Sequence, residues 1–318
     1  MWRAERALRR FGWYALYVAI IGALGYGIYA ATRHVDYSWN WGRVPQYIVS
    51  FDGEEVRAPF DGFVDIAEDR RSLRLEALRT AESVEIGGFD RLVASDGDLV
   101  FEGDTLAIKS GVAPGPLAWG LWLTLKLSAL ALLFALVIGV VAGLGRVARN
   151  PAARALAATY VEIIRGTPLL VQIFIFYFFV GTVLHLSAFT AGVAALAVFT
   201  GAYVAEIVRA GIEAVPKGQM EAARSLGLSY AQAMRHVVLP QAFRKALPPL
   251  AGQFISLIKD SSLVSVMALT DLTKAGREVV SSTFSPFEVW FTVAAMYLLL
   301  TGALSLWVRR LEGRLAHD

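Results

Sequence analysis

The chain of 318 residues contains no cysteine, and only 18% of its residues are charged. Without cysteine it can form no disulfide and no thiolate metal site, and it has no cysteine nucleophile. Motifs for phosphate binding and hydrolysis are missing too, since no G-x-x-x-x-G-K-[ST], HExxH or GxSxG stretch occurs. We therefore expect no catalytic residue, no metal and no cofactor bound by this chain itself.

Apolar residues dominate the remainder, because 56% of the chain is hydrophobic and the mean hydropathy is +0.52. These values exceed those of ordinary soluble domains and predict several membrane spans. The net charge of +3 conceals an uneven distribution, since residues 32–117 hold 16 of the 27 acidic residues against 9 lysines and arginines. One acidic block therefore interrupts an otherwise basic and apolar chain.

The N-terminal stretch predicts a membrane helix. Its first ten residues contain four arginines, and residues 11–31 form an uncharged apolar run long enough to cross a bilayer. A secretory signal peptide is the alternative, although the run is longer than a usual signal core and no small-x-small cleavage site follows. The positive-inside rule places the arginines in the cytoplasm, so residues 1–31 are predicted to be a cytoplasmic segment and a retained helix.

Residues 32–117 are predicted to form a small β-rich module outside the membrane. Residues 56–64 and 92–108 alternate apolar with polar side chains between Asp-Gly and Gly-Asp turns. The words APFDGFV and GDLVFEGDTLAI resemble half of a biotinyl–lipoyl-like barrel. No lysine occupies a hairpin tip, so we predict no swinging-arm chemistry. An exposed β insert without a partner is the alternative.

Five further spans are predicted from apolar runs. They are expected at residues 118–145, from about 163 to 186 after an interfacial stretch from 155, at 189–208, from about 247, and at 287–308. Arginines that follow the first and last of these runs mark cytoplasmic ends. The predicted fold class is an all-α polytopic membrane protein with about six transmembrane helices, both termini in the cytoplasm, and a small β-rich extracytoplasmic insert.

A polar, basic interlude separates the fourth and fifth predicted spans. Residues 221–240 read EAARSLGLSYAQAMRHVVLP, in which helix formers are interrupted by a glycine. The pattern predicts one short helix that ends at Gly227 and a second that Ser229 caps and Pro240 ends. A helix pair standing outside the membrane on two short tethers is suited to docking another protein.

The spacing of this interlude carries a family resemblance. The interlude reads EAA, three residues, G, nine residues, an aliphatic residue, one residue and LP. This spacing resembles the cytoplasmic loop of importer permeases of the ATP-binding-cassette class. Valine stands at position 237 where that family most often has isoleucine. Four further sequence motifs lie on either side of this loop: YVEIIRGTPLLVQ from Tyr160, GAYVAEIVRAGIEAVPKGQ from Gly201, PQAFRKALPPL from Pro240 and LIKDSSL from Leu257. They resemble the permeases for polar amino acids, the histidine, glutamate, glutamine, arginine and opine family. Together with the loop, the resemblance covers about residues 117–311.

The resemblance implies a five-helix, type I importer core at residues 118–318, with a cytoplasmic loop at about 213–245. It implies two ATPase subunits that bind ATP and Mg²⁺, and a periplasmic or extracellular amino-acid-binding protein. A second permease subunit, identical or paralogous, is implied as well, in the lipid bilayer of a bacterial inner membrane and without nucleic acid. The loop residues expected to couple to the ATPase are Glu221, Ala222, Ala223, Gly227, Leu239 and Pro240.

Charged residues inside predicted spans are candidates for a substrate path. Lys259, Asp260, Ser261 and Ser262 lie about a dozen residues into the fifth predicted span, near mid-bilayer. A lone charge there costs at least about 2.5–3.5 kcal/mol, so it is expected to pair or to face a hydrated path. These charges can compensate those of a zwitterionic substrate. Alternatively, Lys259 and a neighbouring acid neutralise each other structurally.

Two more pairs are candidates for this path. Tyr203 and Glu206 are one helical turn apart, and Glu162 and Arg165 share a helix face near the inner boundary. An ordinary interfacial role for Glu206 is an open alternative.

Two other functional classes are left open by the residues. An ion-driven secondary transporter also places charges at mid-membrane, but it usually shows internal repeats, and none is found. A membrane-anchored adaptor or scaffold built around the β module needs only the first helix as its anchor. It leaves the five further spans and the helix pair at residues 221–240 unexplained. Co-purification of an ATPase subunit separates the importer from both.

Overall fold

A computed structural model of the chain describes residues 2–34, 37–50, 53–67, 72–78, 82–101 and 103–315. The chain divides into two compact units, Met1–Gly42 and Arg43–Asp318. The first unit consists mainly of one long helix, α1 (Trp2–His34). Its apolar part, Gly12–His34, is long enough to cross a membrane and is almost wholly exposed within the chain. This helix includes the predicted span at residues 11–31.

The second unit starts with a short helix, α2 (Val44–Ile48), and continues with short strands. They are β1 (Val49–Ser50), β2 (Glu54–Arg57), β3 (Gly62–Ile66), β4 (Ser72–Ala77), β5 (Ser83–Gly87), β6 (Arg91–Leu92), β7 (Leu99–Val100), β8 (Thr105–Lys109) and β9 (Ala113–Pro114). β1 pairs with β9, β8 lies between β2 and β6, and the largest sheet has the order β5-β4-β3-β7. All of these pairs are antiparallel.

Alternating side chains of the two larger sheets share an apolar core. Val64, Leu73, Leu75 and Leu106 are almost completely buried, while the residues next to them in β3 and β4 point the other way and are exposed or half-buried. The turn predicted at Asp96-Gly97 is present, and Gly97 adopts a φ of +80°, which favours glycine. The predicted β-rich region is therefore confirmed, and it belongs to the same compact unit as the helices that follow it.

The helices that follow the strands form the larger part of the second unit. They are α3 (Pro116–Arg146), α4 (Pro151–Gly166), α5 (Leu169–Phe174), α6 (Gly181–Val183), α7 (Ala188–Glu213), α8 (Lys217–Ser225), α9 (Tyr230–Ala233), α10 (Leu239–Asp260), α11 (Leu272–Thr283) and α12 (Pro286–Leu315). π-helical stretches join α5 to α6 (Ile175–Val180) and α9 to α10 (Met234–Val238). A 3₁₀ stretch, Ser261–Val266, follows α10.

Among the described residues, four helices are long and apolar enough to cross a membrane: Gly12–His34, Pro116–Arg146, Ala188–Glu213 and Pro286–Arg310. A fifth span is obtained if Pro151–Gly166 and Leu169–Val183, bent by 104° at their break, are one broken span. α10, which contains the span predicted from Leu247, is not among them. Its charged residues near both ends and its two internal prolines lower its apolar character.

α3 and α7 pack closely because small residues line their contact. A side chain at Gly139 would clash with Val204, and a Cβ at Gly143 would come within 2.7 Å of Val208. Such close approach lets membrane helices gain packing contacts where lipid provides no hydrophobic driving force. The same helices bury an apolar core that includes Leu127 and Leu196.

Tyr47 in α2 fixes the β region to the helices. It is only 7% exposed and packs in an apolar cluster with Leu117, Leu272 and Val289. A Cβ at Gly115 would lie 2.5 Å from the carbonyl oxygen of Tyr47. The strands are therefore tied to the start of α3 by a contact that tolerates little change.

Candidate functional site

The docking segment, residues 213–245, contains α8 (Lys217–Ser225), which ends just before Gly227, where the sequence predicts the break. The amide of Gly227 donates to the carbonyl of Arg224 (3.0 Å), and the amide of Leu228 donates to the carbonyl of Ala223 (3.2 Å). This pair of bonds is a Schellman motif, which needs a left-handed residue. Gly227 supplies it with a φ of +86°. No atom lies within 4 Å of a Cβ built there, so the backbone angle and not crowding requires glycine.

The second helix of the docking segment begins at the predicted cap. Ser229 Oγ accepts from the amide of Gln232 (3.3 Å), and Gln232 Oε1 accepts from the amide of Ser229 (2.8 Å). These reciprocal bonds form a capping box that satisfies two free amides of the first turn. The prediction of a helix start at Ser229 is confirmed.

The prediction that Pro240 ends this helix is wrong, because α9 continues through the π-helical stretch into α10. In that stretch the amide of Leu239 donates to the carbonyl of Met234, five residues earlier. The carbonyl of Val237 accepts from the side chain of Gln241 (2.9 Å). A proline inside a helix removes one amide donor, and this altered bonding accommodates it in the first turn of α10.

The six predicted coupling residues differ in exposure. The exposed ones are Glu221, Ala222, Gly227 and Pro240. Ala223 is buried, and Leu239 packs against the apolar cluster around Ile212 and Val238. Ala223 and Leu239 therefore hold the segment together, while the other four are available to a partner.

Leu226 is exposed on the same surface although it is not among the predicted coupling residues. It is 82% exposed, at the end of α8 and next to Gly227. A large apolar side chain on an otherwise polar projection is suited to a pocket on a partner. Its place directly before the conformationally required glycine was the signal available in the sequence.

Two side-chain bonds fix the base of the docking segment. Lys245 Nζ in α10 donates to the carbonyl of Ala214, just after α7 (2.7 Å). Gln241 Nε2 in α10 donates to Gln219 Oε1 in α8 (3.1 Å). Motion of α8 is therefore linked to both α7 and α10.

Glu206 is the centre of a charged cluster where α3, α4 and α7 meet. Its carboxylate lies 3.2 Å from Arg146, 3.6 Å from Arg165 and 2.9 Å from Arg209. Arg209 also binds Glu213 at 2.6 Å. The side chain of Glu206 is only 19% exposed, so water screens these attractions less than it screens surface pairs.

Arg165 pairs with Glu206 and not with Glu162, which is exposed. Arg146 and Arg209 are not among the predicted site residues. Arg209 stands three residues after Glu206 and four before Glu213, a spacing that favours helical ion pairs and is visible in the sequence. Arg146 belongs to another helix, and only the packing of α3 against α7 brings it there.

A cavity of about 400 Å³ adjoins the cluster. Three predicted path residues line it together, Arg165, Tyr203 and Glu206, with Lys245 and Gln253 of α10. The guanidinium of Arg165 lies 5.3 Å from the centre of the Tyr203 ring, a cation–π distance. The cavity thus presents positive and negative groups side by side, as the two ends of a zwitterion require.

Lys259, Asp260, Ser261 and Ser262 do not line this cavity. They lie where α10 ends at Asp260 and the 3₁₀ stretch begins. Ser261 is buried and donates to the carbonyl of Ile258 (2.8 Å). Lys259 is exposed and Asp260 is half-buried, which agrees with the divergence of about 100° expected for adjacent helical residues.

Known proteins resemble the part of the chain that carries these sites. Residues 135–317 match the family described as binding-protein-dependent transport system inner membrane component. A probable glutamine ABC transporter permease protein of Bacillus subtilis is 46% identical over 197 residues, which cover 62% of this chain and 91% of that protein. An L-cystine transport system permease protein of the same species is 38% identical over 201 residues, which cover 63% and 86%.

One solved structure agrees with this match. The crystal structure of an amino acid ABC transporter with histidines is 42% identical in sequence and superposes with a TM-score of 0.59, covering 63% of this chain and 94% of that one. The family region starts within α3 and includes the docking segment and the charged cluster, whereas α1 and the strands precede it. The chain therefore belongs to the family of inner membrane components of binding-protein-dependent transport systems.

Proposed function

We propose that this chain is the membrane-spanning permease subunit of an ATP-driven importer for polar amino acids. Family membership supports a transport role, and the names of the relatives, for glutamine and L-cystine, support amino acids as the substrate class. The observation that carries the proposal is the exposed tip of α8, whose shape Gly227 fixes. An inner membrane subunit without a nucleotide-binding motif needs such a surface to receive work from an ATPase.

In this function the tip of α8 enters a groove on a cytoplasmic ATPase subunit. Glu221, Ala222, Leu226 and Gly227 form the contact, and Pro240 borders it. Two ATPase subunits bind ATP and Mg²⁺, and this chain binds neither. The bonds from Lys245 and Gln241 transmit displacement of α8 to α7 and α10, so the closing of the ATPases moves the core helices.

The substrate passes between two permease subunits, either two copies of this chain or this chain and a paralogue. An external amino-acid-binding protein delivers it, and both termini of this chain lie in the cytoplasm. We assign Lys259 and Asp260 to this path, together with the cavity of Arg165, Tyr203 and Glu206. The ammonium and carboxylate of an amino acid lose water in the membrane and need compensating charges there.

The remaining path candidates have subordinate roles in this proposal. Ser261 and Ser262 change the helix geometry beside Lys259. Glu162, exposed on α4, adds negative charge near the inner boundary. The family match favours neither alternative: an adaptor would use none of residues 135–317, and the matched family is one of binding-protein-dependent transport systems and not of ion-driven ones.

Purification of the full chain from bacterial membranes in mild detergent tests the proposal. We expect an ABC-type ATPase, identified by mass spectrometry, to co-purify with it. After reconstitution with the external binding protein, at least one polar amino acid should stimulate ATP hydrolysis. The Glu221→Arg variant should insert in the membrane but lose the ATPase. The proposal would be contradicted if the wild-type chain and the Glu221→Arg variant recovered equal amounts of the ATPase, or if neither recovered any.

A further inference from the structure

A second cavity lies between the end of α3, the start of α4, the end of α7 and α9. Its volume is about 540 Å³, and Arg146, Arg154, Arg209, Glu213, Tyr230 and Met234 line it. The transport function proposed above needs no ligand at this place. The cavity is separate from the one beside Tyr203, with which it shares Arg209.

Positive charge exceeds negative charge around this cavity. Arg146 and Arg209 both contact Glu206, and Arg209 also contacts Glu213. Arg154 donates from Nε (3.2 Å) and Nη2 (2.8 Å) to the carbonyl oxygen of Ala148. A carbonyl carries no formal charge, so this contact orients Arg154 without neutralising it.

Arg149 adds a further charge that no carboxylate balances within the ion-pair range of the described residues. Its guanidinium lies 3.9 Å from the centre of the Tyr230 ring, over one wall of the cavity. The loop that carries Arg149 is itself ordered, because Asn150 Oδ1 caps α4 by accepting from the amide of Ala152 (2.9 Å). The arginines are therefore held in place before any ligand arrives, which lowers the entropy lost on binding.

We propose that this cavity binds a phosphate-bearing anion, and that its source is the headgroup of an anionic phospholipid. The planar guanidinium of arginine matches phosphate oxygens with paired donors. The cavity lies at the ends of α3 and α7, two helices that are apolar enough to cross a membrane, and hence at headgroup depth. Basic pockets between membrane helices on the cytoplasmic side are suited to lipid phosphates.

The position of the cavity links this ligand to the docking segment. Tyr230 and Met234 belong to that segment, while Arg146 and Arg154 flank the loop between α3 and α4. A bound phosphate would draw these walls together and hold α9 against the helical core. The lipid thus stabilises the docking segment in one position.

The test uses the full chain in nanodiscs of phosphatidylcholine with or without phosphatidylglycerol. Retained phosphatidylglycerol is counted by native mass spectrometry, and thermal unfolding is followed in both lipids. Arg154→Gln removes one of the two charges that no carboxylate balances among the described residues, Arg154→Lys keeps it, and Arg310→Gln removes an exposed charge near the end of α12 as a matched control. One charge near the surface contributes about 1 kcal/mol to lipid attraction, so we expect about fivefold weaker retention in Arg154→Gln.

The proposal requires this loss to be specific to Arg154→Gln, with Arg154→Lys and Arg310→Gln close to wild type. Equal retention by all four proteins, or equal losses in Arg154→Gln and Arg310→Gln, would overturn it. Unfolding in phosphatidylcholine alone shows whether Arg154→Gln folds normally. If it does not, Arg149→Gln replaces it, because Arg149 is the other arginine at this cavity without a carboxylate partner among the described residues; equal retention by Arg149→Gln and Arg310→Gln would then overturn the proposal. A second arm adds inorganic phosphate in neutral detergent. If inorganic phosphate stabilises the wild-type chain but not Arg154→Gln, while phosphatidylglycerol has no Arg154-dependent effect, the cavity binds an anion but a lipid headgroup is not its source.

Discussion

The guanidinium of Arg146, at the end of α3, lies 3.2 Å from the carboxylate of Glu206 in α7. Arg165 of α4 reaches the same carboxylate at 3.6 Å, so one acidic side chain joins three helices. Because Glu206 also lines the cavity beside Tyr203, it holds helices together at the place where we assign part of the substrate path. Its removal should therefore affect stability first.

The Glu206→Gln variant should be less stable than wild type by about 1–3 kcal/mol, because it leaves partly buried arginines without their common partner. Thermal unfolding in nanodiscs measures the change. Glu162→Gln is the matched control, since that carboxylate is exposed and forms no ion pair with Arg165. Equal unfolding temperatures of the two variants would show that the cluster does not stabilise the packing.

Changes in the tip of α8 should uncouple the transporter without unfolding it. Glu221→Arg reverses a charge on the exposed surface, and Gly227→Val places a branched side chain at a φ of +86°, which strains the turn. We expect both to abolish substrate-stimulated ATP hydrolysis in reconstituted complexes while the protein still inserts. Glu85→Arg, an exposed change in β5, should keep normal stimulation. Normal stimulation in both tip variants would refute the docking assignment.

The β region should be dispensable for membrane insertion and ATPase binding. Ser50 pairs with Ala113 between β1 and β9, so the chain ends on either side of the sheets lie close together. A short Gly/Ser linker in place of residues 53–110 should therefore close the gap and leave Tyr47 in its apolar cluster. Membrane fractionation and ATPase co-purification measure the outcome. Loss of either would show that the strands are part of the transport core.

Lys259→Met and Asp260→Asn should each lower transport more than stability, with the larger loss from the residue that faces the path. A substrate charge that leaves water would then lack its partner. Uptake by reconstituted complexes is compared with their unfolding temperature. Lys126→Met is the control, because the charge of Lys126 already has a partner within the chain: its Nζ lies 5.3 Å from the centre of the Phe189 ring, a cation–π distance. Wild-type transport in both test variants, or unfolding of both, would make these charges structural.

Tyr47→Phe should stabilise the chain by about 1 kcal/mol, because it removes a buried polar group that lacks a partner. Among the described residues, no hydrogen bond reaches the buried hydroxyl of Tyr47. In Tyr297→Phe the sign should be opposite, since the hydroxyl of Tyr297 lies 3.1 Å from that of Thr273. Denaturant or thermal unfolding of the two variants measures both signs. A loss of stability in Tyr47→Phe would show that its hydroxyl is bonded.

Local chemistry explains which features the sequence predicts correctly. Gly227 and Ser229 act on backbone groups within a few residues, so their roles follow from their own conformational and capping preferences. The same local rule predicts a helix end at Pro240, but the helix continues there because the π-helical hydrogen bonds before Pro240 compensate for the amide donor that proline lacks. Such bonding depends on how Leu239 and its neighbours pack, and this cannot be seen in a short stretch of sequence.

The charged cluster around Glu206 could be recognised only from the folded structure. Glu206 and Arg165 are predicted as separate candidates, each with a partner on its own helix. In the structure α4 packs against α7 so that Arg165 reaches Glu206, and glycines in α3 allow α7 to approach closely, which brings in Arg146. A pairing that depends on the packing of three helices leaves no regular spacing in the sequence.

The π-helical junction also has a mechanical consequence. Since it joins α9 to α10 without a break, residues 230–260 form one continuous helical segment, about 45 Å long at 1.5 Å per residue. A tilt of about 5° at one end would displace the other by about 4 Å on such a length. Pro248 and Pro249 lie inside this segment and weaken it there. Bending at this proline pair would therefore reduce how much of a displacement of Tyr230 reaches Lys259.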